Sequence, residues 1–282
     1  MKITLPSISI VTCSYQQARF LDAAIRSVIG QGYPAIEYII IDGGSRDGSA
    51  DIIARHADSL AYWVSERDNG QTDALKKGFN RASGDIYGWL CSDDLLLPDA
   101  LTAVGEFFRD NPNVDAVFGD ALWIDENGNP IRPKREMGFN GFVFLHDHNY
   151  IPQPSMFWRR RLYDEVGGLN ERFHLAMDTD LWARFANKTR IAHIPRYLSS
   201  MRFYSEQRTR SLRPASQLED LMIRTRGSSL ARITLLRPVL HAVARILRAL
   251  NKAAAGGYGA RVPEALLPWL EAHSTPGKIR EL

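Results

Sequence analysis

The first third of the chain alternates two hydrophobic periods. Residues 7–13 are β-branched and alternate (Ser7, Ile8, Ser9, Ile10, Val11, Thr12, Cys13), as a strand does; residues 20–29 then repeat apolar side chains at three- and four-residue steps (Phe20, Leu21, Ala24, Ile25, Val28), as a helix does. The alternation continues with a strand over 37–41 ending at Asp42, a turn through Gly43-Gly44-Ser45-Arg46-Asp47-Gly48-Ser49, and a helix over 50–56. A third strand over 61–64, a helix over 72–82 and a fourth strand over 86–91 complete the series. Strands alternating with helices predict a parallel sheet covered on both faces. Beyond it the pattern changes. A strand is expected over 114–119; residues 121–125 and 130–131 flank Glu126-Asn127-Gly128-Asn129, a hairpin turn that makes the sheet mixed. A short strand over 152–158, a helix over 160–166 closed by Gly167-Gly168, a helix over 178–185 and strands over 191–194 and 197–203 follow.

In doubly covered sheets the ligand crevice lies outside the carboxyl ends of the strands. Here those ends carry polar or stacking groups: Thr12 to Tyr15 after the first strand, Asp42 after the second, Glu66 to Asp68 after the third, Asp93-Asp94 after the fourth. Neither Gly-x-Gly-x-x-Gly nor a Gly-x-x-x-x-Gly-Lys-Ser/Thr loop occurs, so a phosphate is most simply held through a metal ion. Oxygen ligands at Asp93-Asp94 select a hard cation, Mg²⁺ or Mn²⁺. An Asp pair alone is more often a solvated loop; the strand ends upstream raise the functional reading.

Composition changes this picture little. With 282 residues, 45% of them apolar and 24% charged, the chain can bury one large core, or a core plus an appendage. The N-terminus lacks a secretory h-region and no apolar run approaches the length of a membrane span, so the expected location is cytoplasmic, with Cys13 and Cys91 reduced. The net charge of +3 hides an asymmetry, because residues 221–263 contain no Asp or Glu but eight Arg or Lys. Within them Leu235, Leu236, Val239, Leu240, Val243, Ile246, Leu247 and Leu250 recur at helical spacing with Arg237, His241, Arg245, Arg248 and Lys252 between them. Two placements fit this amphipathic basic helix, which starts or breaks near Pro238. It packs its apolar side on the main domain, or residues 228–252 lie on an anionic membrane surface, at the inner face of the cytoplasmic membrane. A nucleic-acid role lacks interleaved aromatics and a motif.

Taken in order, Ser9-Ile10-Val11-Thr12-Cys13-Ser14-Tyr15, Tyr38-Ile39-Ile40-Ile41-Asp42-Gly43-Gly44-Ser45-Arg46-Asp47-Gly48-Ser49, Ser65-Glu66-Arg67-Asp68-Asn69-Gly70, Cys91-Ser92-Asp93-Asp94 and Met177-Asp178-Thr179-Asp180-Leu181-Trp182 resemble the family 2 glycosyltransferases. The resemblance covers roughly residues 7–205. It implies an α/β GT-A fold, with a mixed, mainly parallel sheet flanked by helices: a catalytic domain over 1–205 and a basic helical extension over 206–282. It further implies an inverting, metal-dependent transferase that uses a nucleotide-diphospho sugar, UDP- or dTDP-linked. The acceptor would be a saccharide or a lipid-linked one, in bacterial surface polysaccharide or lipopolysaccharide assembly. In that resemblance Tyr15 stacks on the base with Thr12 beside it, Asp42 accepts from the base ring, and Asp68 contacts base or ribose. Asp94 binds the metal, Asp93 binds ribose or shares the metal, and Asp178 is the catalytic base. Plain alternatives exist for each: Tyr15 caps the core, Asp42 and Asp68 cap turns, and Asp178 is a solvated helix charge.

Three residues qualify the match. Cys91 stands where the fuller Asp-x-Asp-type motif begins, which predicts weak metal binding without nucleotide. Lys76 replaces a frequent Asn and either reaches phosphate or lies on a solvated helix face. Asp180 points about 200° away from Asp178 around a helix, so it is expected to be structural, paired with Arg184. A catalytically inactive nucleotide-sugar-binding or scaffold protein is the competing function, and a nucleotidyltransferase would need a glycine-rich basic loop after the first strand.

Overall fold

The computed structural model describes residues 4–273. Its centre is a nine-stranded sheet in the order β3-β2-β1-β4-β8-β6-β9-β5, with β7 paired to β6. The first four strands, β1 (Ile8–Ser14), β2 (Ile36–Asp42), β3 (Tyr62–Ser65) and β4 (Ile86–Trp89), are parallel, as the alternating periods require. Their crossovers are α1 (Ala18–Ile29), α2 (Ser49–Arg55) and α3 (Gln71–Arg81). Strand order reverses at β1, between β2 and β4, which opens the crevice beyond Ser14 and Trp89.

The second half makes the sheet mixed. Short β5 (Leu95–Leu96) pairs antiparallel with β9 (Ile191–Arg202); β6 (Ala116–Ile124) runs antiparallel to β7 (Pro130–Lys134) and β8 (Met156–Arg159) but parallel to β9. Two predicted breaks are absent. Residues 116–124 form one strand, because the buried Asp120 that interrupts the apolar pattern is satisfied by His193 and the Glu136 amide. Residues 191–202 likewise form one strand, in which Pro195 and Arg196 are accommodated at a register shift opposite Gly119 and Asp120. The predicted strand over 152–158 is shorter, starting with a 3₁₀ turn at Gln153–Ser155.

The remaining helices are α4 (Ala100–Asp110), α5 (Gly141–His146), α6 (Arg160–Glu165), α7 (Met177–Ala186), α8 (Arg208–Ser211), α9 (Arg213–Gly227), α10 (Arg237–Ala254) and α11 (Leu267–His273). Helix α4 is not among the predicted elements although Leu101, Val104 and Phe108 repeat at helical spacing and are buried.

Each face of the sheet carries a core. One joins Val11, Ile39 and Ile41 to α3 and, through Trp158, Trp182 and Phe185, to α7; the other joins Ile10, Ile40 and Val117 to α1 and α4. Helix α3 lies so close to β1 that a Cβ at Gly78 would sit 2.3 Å from Val11 Cγ1. Only glycine fits there, and the approach fixes the start of α3 over the crevice.

Candidate active site

The loops at the strand ends are interlocked by hydrogen bonds between distant segments. After β1 the chain turns at Gln16, whose left-handed φ of 54° is costly for a residue with a side chain. The turn is held from the loop after β2: the Gln16 amide donates to Ser45 Oγ at 2.8 Å and the Ala18 amide to Asp47 Oδ2 at 2.8 Å. Ser45 Oγ in turn donates to Asp42 Oδ1 at 2.6 Å, while Asp42 Oδ2 accepts from the Ser45 amide and from Ser65 Oγ. Asp42 is thus a buried hub joining the ends of β1, β2 and β3, and its turn-capping reading holds. With three donors on roughly four acceptor sites, Oδ1 keeps about one lone pair for a further donor.

Tyr15 projects from this turn with 62% of its surface exposed, open to a planar partner. Thr12 is different. It is wholly buried with its hydroxyl 3.2 Å from Tyr38 Oη, so its side chain packs inside the sheet and does not line the crevice. Asp68 accepts from the Gly70 amide at 2.8 Å and leans over Gly43, where a Cβ would meet Asp68 Oδ2 at 2.8 Å. Only a glycine at 43 leaves that carboxylate room beside Asp42. Lys76 pairs with Glu171 at the surface, the solvated-face reading of that residue.

Beyond β4 the two carboxylates are turned toward the crevice and largely closed off from solvent. The Arg202 amide donates to Asp94 Oδ1 at 2.9 Å and Tyr204 Oη donates to Asp93 Oδ2 at 2.9 Å. The Arg202 guanidinium lies on the Phe20 ring and is directed at the backbone carbonyls of Asp93, Asp125 and Glu126, so it braces the loop without pairing with either carboxylate. Burial pushes the Asp94 carboxyl well above the usual carboxylate range and the neighbouring Asp93 charge adds to this; burial also raises Asp93. A buried carboxylate with a half-buried one beside it needs a cation or a proton to offset the charge. Among the described residues, Cys91, Asp93 and Asp94 form the group able to hold a metal, with ligand atoms within 4.8 Å of one another. Asp94 Oδ2 takes no hydrogen bond from any described residue, which suits a direct ligand of a hard cation. Cys91 Sγ sits between Gln71 Nε2 at 3.6 Å and Gln153 Oε1 at 3.4 Å, and both cysteines are free thiols.

Asp178 stands in the first turn of α7. Asn149 Nδ2 donates to its Oδ2 at 3.1 Å, and burial pushes its carboxyl up to about 6, a suitable value for a general base near neutrality. The start of α3 lies between the Cys91 loop and the start of α7: Gln71 touches Cys91, and the hydroxyl of Thr72 contacts the Phe173 carbonyl and Met177 Sδ. Asp180, one turn face away, is fully buried and bound to Arg184 at 2.8 Å, as expected, and also to Arg226 of α9.

Four contributors escape a sequence reading. Arg202, Tyr204 and Asn149 reach the site from positions far along the chain. Glu219 of α9 accepts from the amides of His174, Leu175 and Ala176, at 2.8–3.1 Å, and so fixes the backbone that leads into Asp178.

Comparison with known proteins gives the family and the fold. The model of the glycosyl transferase family 2 matches residues 9–168, more than half of the chain, and the chain belongs to that family. It is 30% identical over 183 residues to an uncharacterized glycosyltransferase of Mycobacterium tuberculosis, covering 64% of this chain and 69% of that protein. A second relative, an uncharacterized glycosyltransferase of Rickettsia conorii, is 27% identical over 216 residues, 73% of this chain; the match spans 35% of that protein. Among solved structures, S. aureus TarS 1–349 in complex with UDP-GlcNAc superposes with a TM-score of 0.65 over 95% of this chain and 79% of that one, at 15% identity. The mannosyltransferase PcManGT from Pyrobaculum calidifontis, in complex with GDP-Man and Mn²⁺, gives 0.59 at 19% identity, covering 95% of this chain and 80% of that one. The fold is the GT-A fold, a mixed, mainly parallel sheet flanked by helices, followed by a helical C-terminal part.

Proposed function

We propose that this chain is an inverting, metal-dependent glycosyltransferase. It moves a sugar from a nucleoside-diphospho sugar, UDP- or dTDP-linked, to a saccharide or lipid-linked acceptor in bacterial surface polysaccharide or lipopolysaccharide assembly. The observation that carries the reading is the placement of two acidic groups at the two ends of one helix start: Gln71 touches Cys91, which lies with Asp93 and Asp94, and Thr72 touches Met177, the neighbour of Asp178, whose carboxyl is raised to about 6. The nucleotide sugars bound by the two solved neighbours, one of them with Mn²⁺, support the same class of donor.

In this reading Tyr15 stacks on the base, Asp42 accepts from it through the remaining lone pair, and Asp68 lies on the ribose side. Asp94, with Asp93 beside it, holds Mg²⁺ or Mn²⁺, which when bound neutralises the diphosphate leaving group. Asp178 takes the proton of the acceptor hydroxyl as its oxygen attacks the anomeric carbon. The bond from that carbon to the diphosphate oxygen breaks, and the nucleoside diphosphate leaves with the electron pair. Asn149 and the Thr179 hydroxyl, 3.1 Å from Oδ2 and 3.4 Å from Oδ1, orient the Asp178 carboxylate. The chain works in the cytoplasm.

A thermal-shift panel of nucleoside diphosphates and their sugars, each with and without Mn²⁺, tests the donor class. Metal-dependent stabilisation by one nucleotide is expected; no stabilisation by any of them contradicts the reading. Stabilisation without turnover on any acceptor extract would favour the inactive binding protein.

A further inference from the structure

Helix α10 docks on the catalytic domain by its charged side. Lys252 Nζ lies 3.1 Å from Glu136 Oε1, Arg248 reaches Glu136 at 3.6 Å and Asp147 at 3.8 Å, and His241 Nδ1 lies 3.1 Å from the His146 carbonyl. Glu136 and Asp147 are buried carboxylates that must be paired, and this requirement decides which way the helix turns. Of the two placements open to the helix, packing of its apolar side on the domain is not the one seen. Instead Val239, Val243, Ile246 and Leu250, spaced at four-, three- and four-residue steps along one stripe, are 43–63% exposed, and Leu235 just before the helix is 88% exposed. An uncovered aliphatic stripe of this length marks a surface that meets another phase or molecule.

The charge of the segment selects which. Residues 221–263 contain no carboxylate, and Arg232, before α10, and Arg245, within it, are exposed. A second copy of the chain packed stripe to stripe would set these arginines against their own mates with no acid in the segment to pair them. An anionic bilayer supplies both partners, acyl chains for the stripe and headgroup phosphates for the arginines. No helix among the described residues is long and apolar enough to cross a membrane, so the contact is an in-plane one.

We infer that α10 is a membrane-seating helix, its apolar stripe entering the headgroup–acyl boundary of an anionic bilayer while its basic side remains bound to the catalytic domain. Helix α10 packs on α5, and the chain after α5 carries Asn149 to Asp178. Helix α10 is thus tied through α5 to the segment that leads to Asn149, whose place on the acceptor side rests on the catalytic reading of Asp178. The seating itself does not rest on it.

Co-sedimentation of the full chain with phosphatidylglycerol–phosphatidylcholine vesicles, without donor or acceptor, tests the seating. The triple variant Val239→Asp, Ile246→Asp, Leu250→Asp changes only exposed positions, so its thermal unfolding should match the wild type. Wild-type protein should pellet with the anionic vesicles, less so with pure phosphatidylcholine, and partition of the variant should fall at least about tenfold. The inference is overturned if the wild type stays in the supernatant, if the variant pellets equally, or if binding ignores phosphatidylglycerol. A lipid-free dimer in sedimentation equilibrium that the same variant dissociates would assign the stripe to a second copy and also overturn it. None of these outcomes bears on transfer, and a nucleotide-binding failure would leave them unaffected.

Discussion

The raised carboxyl of Asp178 sets two expectations of opposite sign. In its proposed role as base it must be ionised, so transfer should rise with pH through about 6 and then level off. Asp178→Asn should lower the transfer rate by at least about 10²-fold while leaving donor affinity within a few-fold. Stability should move the other way. A carboxyl whose folded value lies above its ordinary one costs stability once ionised, and that cost is complete above about 6 and absent below the ordinary value of 3.8. Asp178→Asn should therefore stabilise at pH 8, by no more than about 3 kcal/mol, and have no such effect at pH 3; equal Tm shifts at both would refute the account of its burial. At the loop of Asp93 and Asp94, proposed to hold the metal, Tyr204→Phe removes the hydroxyl bound to Asp93 at 2.9 Å and should cost on the order of 1 kcal/mol in Mn²⁺-supported nucleotide binding. Residues such as Asp42, Asp93 and Asp178 were legible because each follows or opens a recognisable element. Tyr204 and Asn149 were not, because nothing local to them carries information about a partner 111 or 29 residues away.

At the level of elements, the two periods of the first half read directly as parallel strands and covering helices. They failed where tertiary pairing satisfies an interruption, as at Asp120 within β6 and Pro195 within β9. Helix α7 illustrates a dependence no period reveals. Its leading amides at 174–176 are closed by the Glu219 carboxylate from α9, and its buried Asp180 is neutralised by Arg184 and Arg226. Glu219→Gln weakens the acceptor at three amides and should lower Tm and transfer together, at a cost of about 1–3 kcal/mol, with nucleotide affinity kept. If the variant unfolds at the wild-type temperature and transfers at the wild-type rate, Glu219 has no part in placing α7.

For the whole molecule, the boundary proposed near residue 205 separates an extension that the catalytic part nonetheless uses. Glu219, Arg226, Arg248 and Lys252 all bind residues before 205, and Leu270 of α11 is buried with Leu122 and Ile124 of the sheet. Removing residues 206–282 should leave Asp180 and Glu136 short of partners and lower Tm by well over ten degrees, given that one broken buried pair costs about 3–5 kcal/mol. An unchanged unfolding transition in the truncated chain would show the extension to be an appendage. The basic asymmetry of this segment was plain in the sequence; its inward direction was not, because the carboxylates that fix it, Glu136 and Asp147, lie in a stretch with no strong period of its own.

The central claim is that the strand ends hold a nucleoside diphosphate through a cation at Asp94, with Asp178 reserved for the acceptor. Calorimetric titration of the nucleoside diphosphate chosen by the thermal-shift panel, with and without Mn²⁺, into the wild type, Asp94→Asn and Asp178→Asn, separates these roles. The account predicts binding at least about tenfold tighter with Mn²⁺ in the wild type and in Asp178→Asn, and no gain from Mn²⁺ in Asp94→Asn. Equal affinities in all three proteins, with Mn²⁺ making no difference, would contradict it.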